Sequence, residues 1–223
     1  YCAKKTPLAM KGGAPVSGES DSEGSQSTSA NSSTTSDNCD STTRDDNRAT
    51  VLKKLILAHE GWFNVFPDYE YANRTFPAFA EFHSHGEKYV LTKRAKLWEV
   101  DAHEYLFFQT TETLSAADVA EWIDFMTTQA LKKVDPVPDH MSSYISLVIV
   151  ADSVTDDAKK AIRKARFHKE FSFGLRGWSD LRLAAVDFSS QCVLTNAAGK
   201  EMRAALEANA GIKCSKKGLF RRR

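Results

Sequence analysis

The first forty-six residues contain almost nothing that a folded core could bury. The stretch from Ser17 to Asn47 has no Leu, Ile, Val, Phe, Trp or Tyr. A segment with so little apolar surface cannot offset the entropy lost on ordering, so we expect residues 1–46 to be a disordered tail rich in Ser and Thr. The predicted folded domain covers residues 47–210, and residues 211–223 form a basic C-terminal tail.

Long apolar runs and paired cysteines are also missing. No run approaches the 18 apolar residues of a transmembrane helix, so we predict no membrane span. The four cysteines lie far apart without a C-x-x-C pair, which argues against a zinc ribbon, a thioredoxin-type motif and a disulfide framework. With no recognisable signal peptide, this pattern predicts a cytoplasmic protein.

The common catalytic motifs are absent as well. There is no P-loop, no G-x-G-x-x-G, no G-x-S-x-G and no Cys close to a His. The net charge is +1, so the chain as a whole gives no basic signal for nucleic acid. We therefore predict no cofactor and no metal ligand, and we assign no catalytic residue. Substrate, partner and oligomeric state stay open.

Hydrophobic periodicity predicts the first half of the domain. A helix from Arg48 carries an apolar stripe and ends at Gly61. Three strands follow at 76–84, 89–100 and 103–110, with Pro67 and Asp68 as turn residues before them. Because the connections between these strands are so short, we expect an antiparallel meander with one wet face.

Stronger signals mark the second half. Ser115 followed by Asp118 has the pattern of a capping box, and Thr155 is placed to cap another helix. The apolar run 144–152 reads as a central strand covered on both sides. A hairpin, 180–188 with 192–196, and a last helix, 199–209, complete an α+β domain with the order α-β-β-β-α-β-α-β-β-α. We expect a single, largely antiparallel sheet of about six strands with helices packed on it.

Glu81, His83 and His85 lie two apart and would share one side of a strand. Two such histidines could hold zinc with a third ligand from a neighbouring strand. Alternatively they form the wet face of the meander, where Glu81 would pair with a cation such as Arg94 or Lys96. The apolar alternation of Phe76, Ala78, Ala80 and Phe82 favours the wet face.

The order of elements also matches the core of the PD-(D/E)xK nuclease superfamily, in which acids and a lysine hold Mg²⁺ and activate water. Here Pro67-Asp68 is followed, thirteen residues later, by Glu81-Phe82-His83. However, the lysine position holds His83, so the motif is incomplete. A metal-dependent nuclease using Asp68 and Glu81 is the alternative function.

Basic and aromatic residues alternate in the helix 156–169 and the segment after it. This pattern suits a phosphate backbone with stacked bases, and the tail 211–223 could add phosphate affinity. The alternative is a solvated helix face with aromatics in the core. The basic residues are Lys159, Lys160, Arg163, Lys164, Arg166, Lys169 and Arg176, and the aromatic ones are Phe167, Phe171, Phe173 and Trp178.

The loop "GLRGWSD", residues 174–180, could bring backbone amides to a ligand, or it could be a tight turn in which Trp178 fills the core. We favour the turn because turn glycines need no ligand.

The segments "FHSHGEKYVLTKRAKLWEVDAHEYLFF", "HMSSYISLVIVAD" and "FSFGLRGWSDLRLAAVDF" together resemble a family of uncharacterised bacterial proteins classed as a domain of unknown function. The resemblance covers most of residues 60–200. It implies a single bacterial, cytoplasmic domain, and it transfers no activity. The leading hypothesis is a non-enzymatic, soluble domain that binds a protein partner or nucleic acid.

Overall fold

The computed structural model describes residues 38–89, 96–138 and 140–212, with the side chains of 38–43, 84–89 and 96–102 outside the description. Two short 3₁₀ helices, Ala130–Lys133 and Ala198–Glu201, accompany the main elements. The α-helices are α1 Asn38–His59, α2 Ala116–Thr128, α3 Asp156–Lys164 and α4 Met202–Ala210. The strands are β1 Asn64–Tyr71, β2 Arg74–Tyr89, β3 Lys96–Leu114, β4 His140–Val154, β5 His168–Glu170, β6 Trp178–Asp187 and β7 Cys192–Thr195.

The strands form one mixed sheet of seven in the order β1-β2-β3-β4-β6-β5, with β7 also paired to β6. The central pairs β3–β4 and β4–β6 are parallel, and the outer pairs are antiparallel. The prediction of a largely antiparallel sheet of about six strands is therefore wrong. Helices α2 and α3 are crossover connections, and such connections return the chain to start a parallel strand.

Helices cover both faces of this sheet. Phe79 and Phe107 are buried in the core beneath α2, whereas Leu106 and Phe108 are buried in the second core, which includes residues of α1 and α4. The prediction that the meander has one wet face is wrong for this part of the sheet. The prediction that the central strand, now β4, is covered on both sides is confirmed, because Ile145 to Ala151 are all buried, including the polar Ser146.

The meander is built from other residues than the sequence pattern predicts. β1 contains Pro67 and Asp68, which were predicted to be turn residues. It is joined to β2 by a tight hairpin turn at Ala72 and Asn73, both of which have positive φ. Pro67 is tolerated because β1 is an edge strand. The predicted turn at 100–102 lies inside β3, and residues 90–95 of the predicted second strand are outside the described residues.

The helix signals are confirmed more closely. Ser115 and Asp118 form a capping box, and Thr155 caps α3 through the Ala158 amide. α3 ends at Lys164, five residues before the predicted end. α1 begins at Asn38, inside the segment predicted as tail, and there Arg48 bonds Asp45 on the same helix and Asp152 on β4.

Candidate functional site

Residues 171–177, here called the tip loop, connect β5 to β6. The Phe171 amide donates to the Gly177 carbonyl at 2.9 Å, and the Arg176 amide donates to the Phe171 carbonyl at 3.1 Å. The Phe171 ring packs against the core and lies 5.8 Å from the His140 ring. Backbone hydrogen bonds therefore close the loop, and the packing of the Phe171 ring holds it against the core.

Phe173 projects from the tip loop into solvent. Its side chain is fully exposed, and the nearby Leu175 is 83% exposed. Ser172 and Phe173 both have left-handed backbones, with φ of 51° and 54°. A bulky residue at positive φ is strained, and such strain persists only where the surrounding structure enforces it. The fold thus holds a large aromatic ring away from any core.

The segment that carries this ring is rich in basic residues. Between Lys159 and Arg176 the chain carries seven Lys or Arg and one acid, Glu170. We use the name tip surface for the exposed basic and large apolar residues of this segment that no described salt bridge engages. They are Arg163, Lys164, Arg166, Lys169, Phe173, Leu175 and Arg176.

Two of the predicted basic residues do not belong to the tip surface. Lys159 reaches the buried carboxylate of Asp187 at 3.1 Å, and Lys160 is paired with Asp157 at 2.9 Å. Phe167 and Phe171 pack against the core, so Phe173 is the exposed aromatic of the predicted set. The structure thus shows a solvated helix face with Phe167 and Phe171 packed against the core, and nucleic-acid binding by this segment stays a prediction.

The loop "GLRGWSD" is a turn held closely against β4. A Cβ on Gly177 would lie 2.3 Å from the Met141 carbonyl oxygen, and φ at this residue is +72°. Trp178 is half-buried, with its ring 5.4 Å from Tyr144 and 5.7 Å from His168. His168 in turn bonds Asp180 at 2.7 Å.

The structure separates the two carboxylates of the nuclease hypothesis. Asn64, and not Asp68, is the register partner of Glu81. Asp68 is four residues further along β1, which at a strand rise of about 3.4 Å corresponds to roughly 13 Å. One ion cannot bridge that distance, and the side chains of Arg94, Lys96 and His85 lie outside the description.

Histidines from three strands meet on the sheet face that carries Tyr105. His83 on β2 is paired with His103 on β3, and their Nδ1 atoms lie 2.8 Å apart. The His103 ring stacks near that of His140 on β4, with centroids 5.9 Å apart. Among the side chains that the structure describes, no three His, Cys, Asp or Glu are arranged to hold a metal ion.

His140 and Ser143 form a buried pair beneath the tip loop. His140 Nδ1 lies 2.7 Å from the Arg176 carbonyl, which can only accept, so Nδ1 carries the proton. Nε2 then accepts from the Ser143 hydroxyl at 2.8 Å. Both residues are almost completely buried, so a substrate cannot reach Ser143, and the pair instead ties the tip loop to β4.

Tyr105 lies beside the histidines. Burial is the main cause that raises the pKa of its phenol to about 12, and the negative charges of Glu81 and Asp135 raise it further. The phenol is therefore protonated at neutral pH. It can donate a hydrogen bond but cannot act as a base.

The other end of the parallel strands contains a cleft of about 530 Å³, where Arg48 and Asp152 are among the lining residues. Nearby, Asp187 is fully buried. Although burial raises its pKa, hydrogen bonds from Ser190, Ser189 and Lys159 together lower it below the usual range. At this end, Arg48 is paired with Asp152 and Lys159 with Asp187.

Sequence reasoning missed the histidine group because its members come from different strands. His103 and His140 are 37 positions apart, and only the β3–β4 pairing brings them together. The tip loop could be identified as a candidate from the sequence, because two glycines stand beside a run of basic and aromatic residues.

A family model described as "Domain of unknown function (DUF8052)" matches residues 47–208. No curated protein and no solved structure matches the chain. Within the described residues, no helix is both long and apolar enough to cross a bilayer. The family match covers most of the chain, and the protein therefore belongs to the DUF8052 family.

Proposed function

We propose that this domain is a non-enzymatic binding module that takes single-stranded nucleic acid on the tip surface. The observation that carries the proposal is Phe173, a fully exposed aromatic with a strained backbone in a segment rich in basic residues. A base stacked on an aromatic ring contributes about 1–3 kcal/mol, and the ring does not distinguish strongly among bases.

The charges support the same partner. Within the described residues, no ion pair engages Arg163, Lys164 or Arg166, while Lys159 and Lys160 are held by acids. Basic groups that no described ion pair engages can contact phosphates without first breaking a described salt bridge. Each phosphate contact of a single strand contributes about −0.7 to the slope of log K against log salt.

A protein partner is the competing possibility, because Phe173 and Leu175 could also insert into an apolar pocket. The charge of the segment favours nucleic acid, since seven basic residues and one acid between Lys159 and Arg176 complement a phosphate backbone. The nuclease alternative has little support, because Asp68 and Glu81 are far apart in register. A bacterial origin and a cytoplasmic location stay predictions.

The test is fluorescence anisotropy with a labelled oligothymidylate at low salt. We expect binding by the wild-type chain that weakens steeply as salt is added. Phe173→Ala should weaken it about 5- to 150-fold, which corresponds to the loss of one stacked base. The variant that changes Arg163, Lys164 and Arg166 to Gln should flatten the salt dependence by a slope of about 2.

Two matched controls make the result specific. Trp62 is also an exposed aromatic, and Lys160 is a basic residue of α3 paired with Asp157. Trp62→Ala and Lys160→Gln should leave the affinity within about twofold of wild type, because neither residue belongs to the tip surface. Absence of binding at low salt, or equal losses in Trp62→Ala and Phe173→Ala, would contradict the nucleic-acid proposal and leave the protein partner.

A further inference from the structure

The contact between His83 and His103 joins the Nδ1 atoms of the two imidazole rings. The two residues face one another directly in the β2–β3 ladder, and their Nδ1 atoms are 2.8 Å apart. The His83 side chain is 45% exposed, so the pair can be reached from solvent. Two imidazole nitrogens, each of which has a lone pair in one tautomer, therefore lie side by side.

This separation is close to the spacing of two ligands on one metal ion. An imidazole nitrogen lies about 2.0–2.1 Å from a divalent transition metal. Two such nitrogens at a right angle are about 2.9 Å apart, the arrangement of adjacent positions in the tetragonal geometry of Cu²⁺ and Ni²⁺. If the two imidazole side chains rotated slightly apart, an ion could bind between them without a change of strand register.

Glu81 is placed to support such a site. Its Oε2 lies 3.9 Å from Nε2 of His83, the nitrogen that does not face His103. Histidines that bind metals commonly donate their second N–H to a carboxylate, which fixes the tautomer and makes the ligand nitrogen more basic. At 3.9 Å the carboxylate makes no hydrogen bond to the ring, so Glu81 would act as a positioning residue once the two groups close to about 3 Å.

The neighbouring register pair is also composed of metal-binding residue types. Two residues further along each strand, His85 is the register partner of Asp101. The ladder therefore brings four residues of suitable chemistry to adjacent positions.

We propose that His83 and His103 bind a divalent transition-metal ion through their Nδ1 atoms, with water completing its coordination. In the hydrogen-bonded pair one Nδ1 carries a proton. Binding moves that proton to Nε2 of the same ring, so two neutral imidazoles become two ligands and no net proton is released. The proposal is independent of nucleic-acid binding, since Phe173 takes no part in it.

Isothermal titration calorimetry of the full chain with Ni²⁺ tests the proposal. We expect one ion per chain, and we expect His83→Gln and His103→Gln each to weaken binding at least tenfold. Glu81→Gln should have a smaller effect, because it removes the partner of a ligand and not the ligand itself. Thermal denaturation of each variant checks that the fold is retained.

His168→Gln is the matched control, because His168 is also an exposed strand histidine beside a carboxylate, Asp180. It should bind Ni²⁺ as the wild type does. The proposal is overturned if the wild-type chain binds no Ni²⁺ at millimolar concentration. It is equally overturned if His83→Gln and His103→Gln both bind as the wild type does, since the 2.8 Å contact is then only an N–H···N hydrogen bond.

Discussion

The two ends of the parallel strands β3, β4 and β6 are both polar, yet their polar groups are used differently. At the end where the strands finish, Asp187 is buried and held by Ser189, Ser190 and Lys159, and Asp152 bonds Arg48. At the end where they begin, Phe173 stands exposed on a strained loop, in a segment of the chain that is rich in basic residues.

The difference shows how a charged group that serves the fold can be told from one available to a ligand. Burying a charge is costly unless partners satisfy it, so a buried and fully bonded carboxylate is explained by stability alone. An exposed aromatic in a strained backbone gains nothing from the core and needs another explanation. We therefore expect substitutions at the first end to change stability and those on the tip surface to change binding.

The largest expected effect is that of Asp187→Ala. The substitution leaves the Lys159 ammonium and two serine hydroxyls without their acceptor, and breaking such a buried pair costs about 3–5 kcal/mol of the free energy of unfolding. Urea denaturation measures it. Asp156 also contacts Lys159, at 3.8 Å, but it is exposed. Asp156→Ala should cost under about 1 kcal/mol, and equal costs in the two variants would remove the contrast between the two kinds of charge.

Gly177→Ala should have the next largest effect. The new Cβ would collide with the Met141 backbone at 2.3 Å while the residue keeps a left-handed φ, so β4 and the tip loop must move apart. We expect a loss of roughly 2–3 kcal/mol together with weaker oligonucleotide binding. Gly174→Ala is the matched control, because its φ is +82° but no atom lies closer than 4.0 Å. Its cost should be about 1 kcal/mol, from backbone strain alone.

The smallest expected effect concerns Tyr105, whose pKa is raised to about 12. An unfolded tyrosine ionises near pH 10, so between about pH 10 and 12 the folded state holds a proton that the unfolded state has lost. The stability that this provides is fully present below pH 10 and is lost as pH rises through that window. The difference in ultraviolet titration between the wild type and Tyr105→Phe isolates this phenol. An ionisation near pH 10 would contradict its burial beside Glu81 and Asp135.

Local signals in the sequence predicted local structure well. The caps at Ser115 and Thr155, the buried run in β4 and the β6–β7 hairpin are fixed by neighbouring residues, and the structure confirms all of them. The prediction of a largely antiparallel sheet was wrong because it rested on the short connections between strands. The crossovers through α2 and α3 make the central strand pairs parallel, so the sheet is mixed.

The site was predictable only where it is local. The basic-aromatic segment is continuous in sequence, so it could be identified as a candidate surface, although the pairing of Lys159 with Asp187 could not be foreseen. The histidine group depends on the register of β2, β3 and β4. Sequence spacing carries no information about that register.

The most direct test of the central claim is an amide NMR titration of the whole chain with a short oligothymidylate. The account predicts that shift changes concentrate in residues 163–177 and at Met141, which the tip loop contacts, while Arg48, Asp152 and Asp187 keep their positions. Changes centred on those three residues, or no changes at low salt, would contradict it.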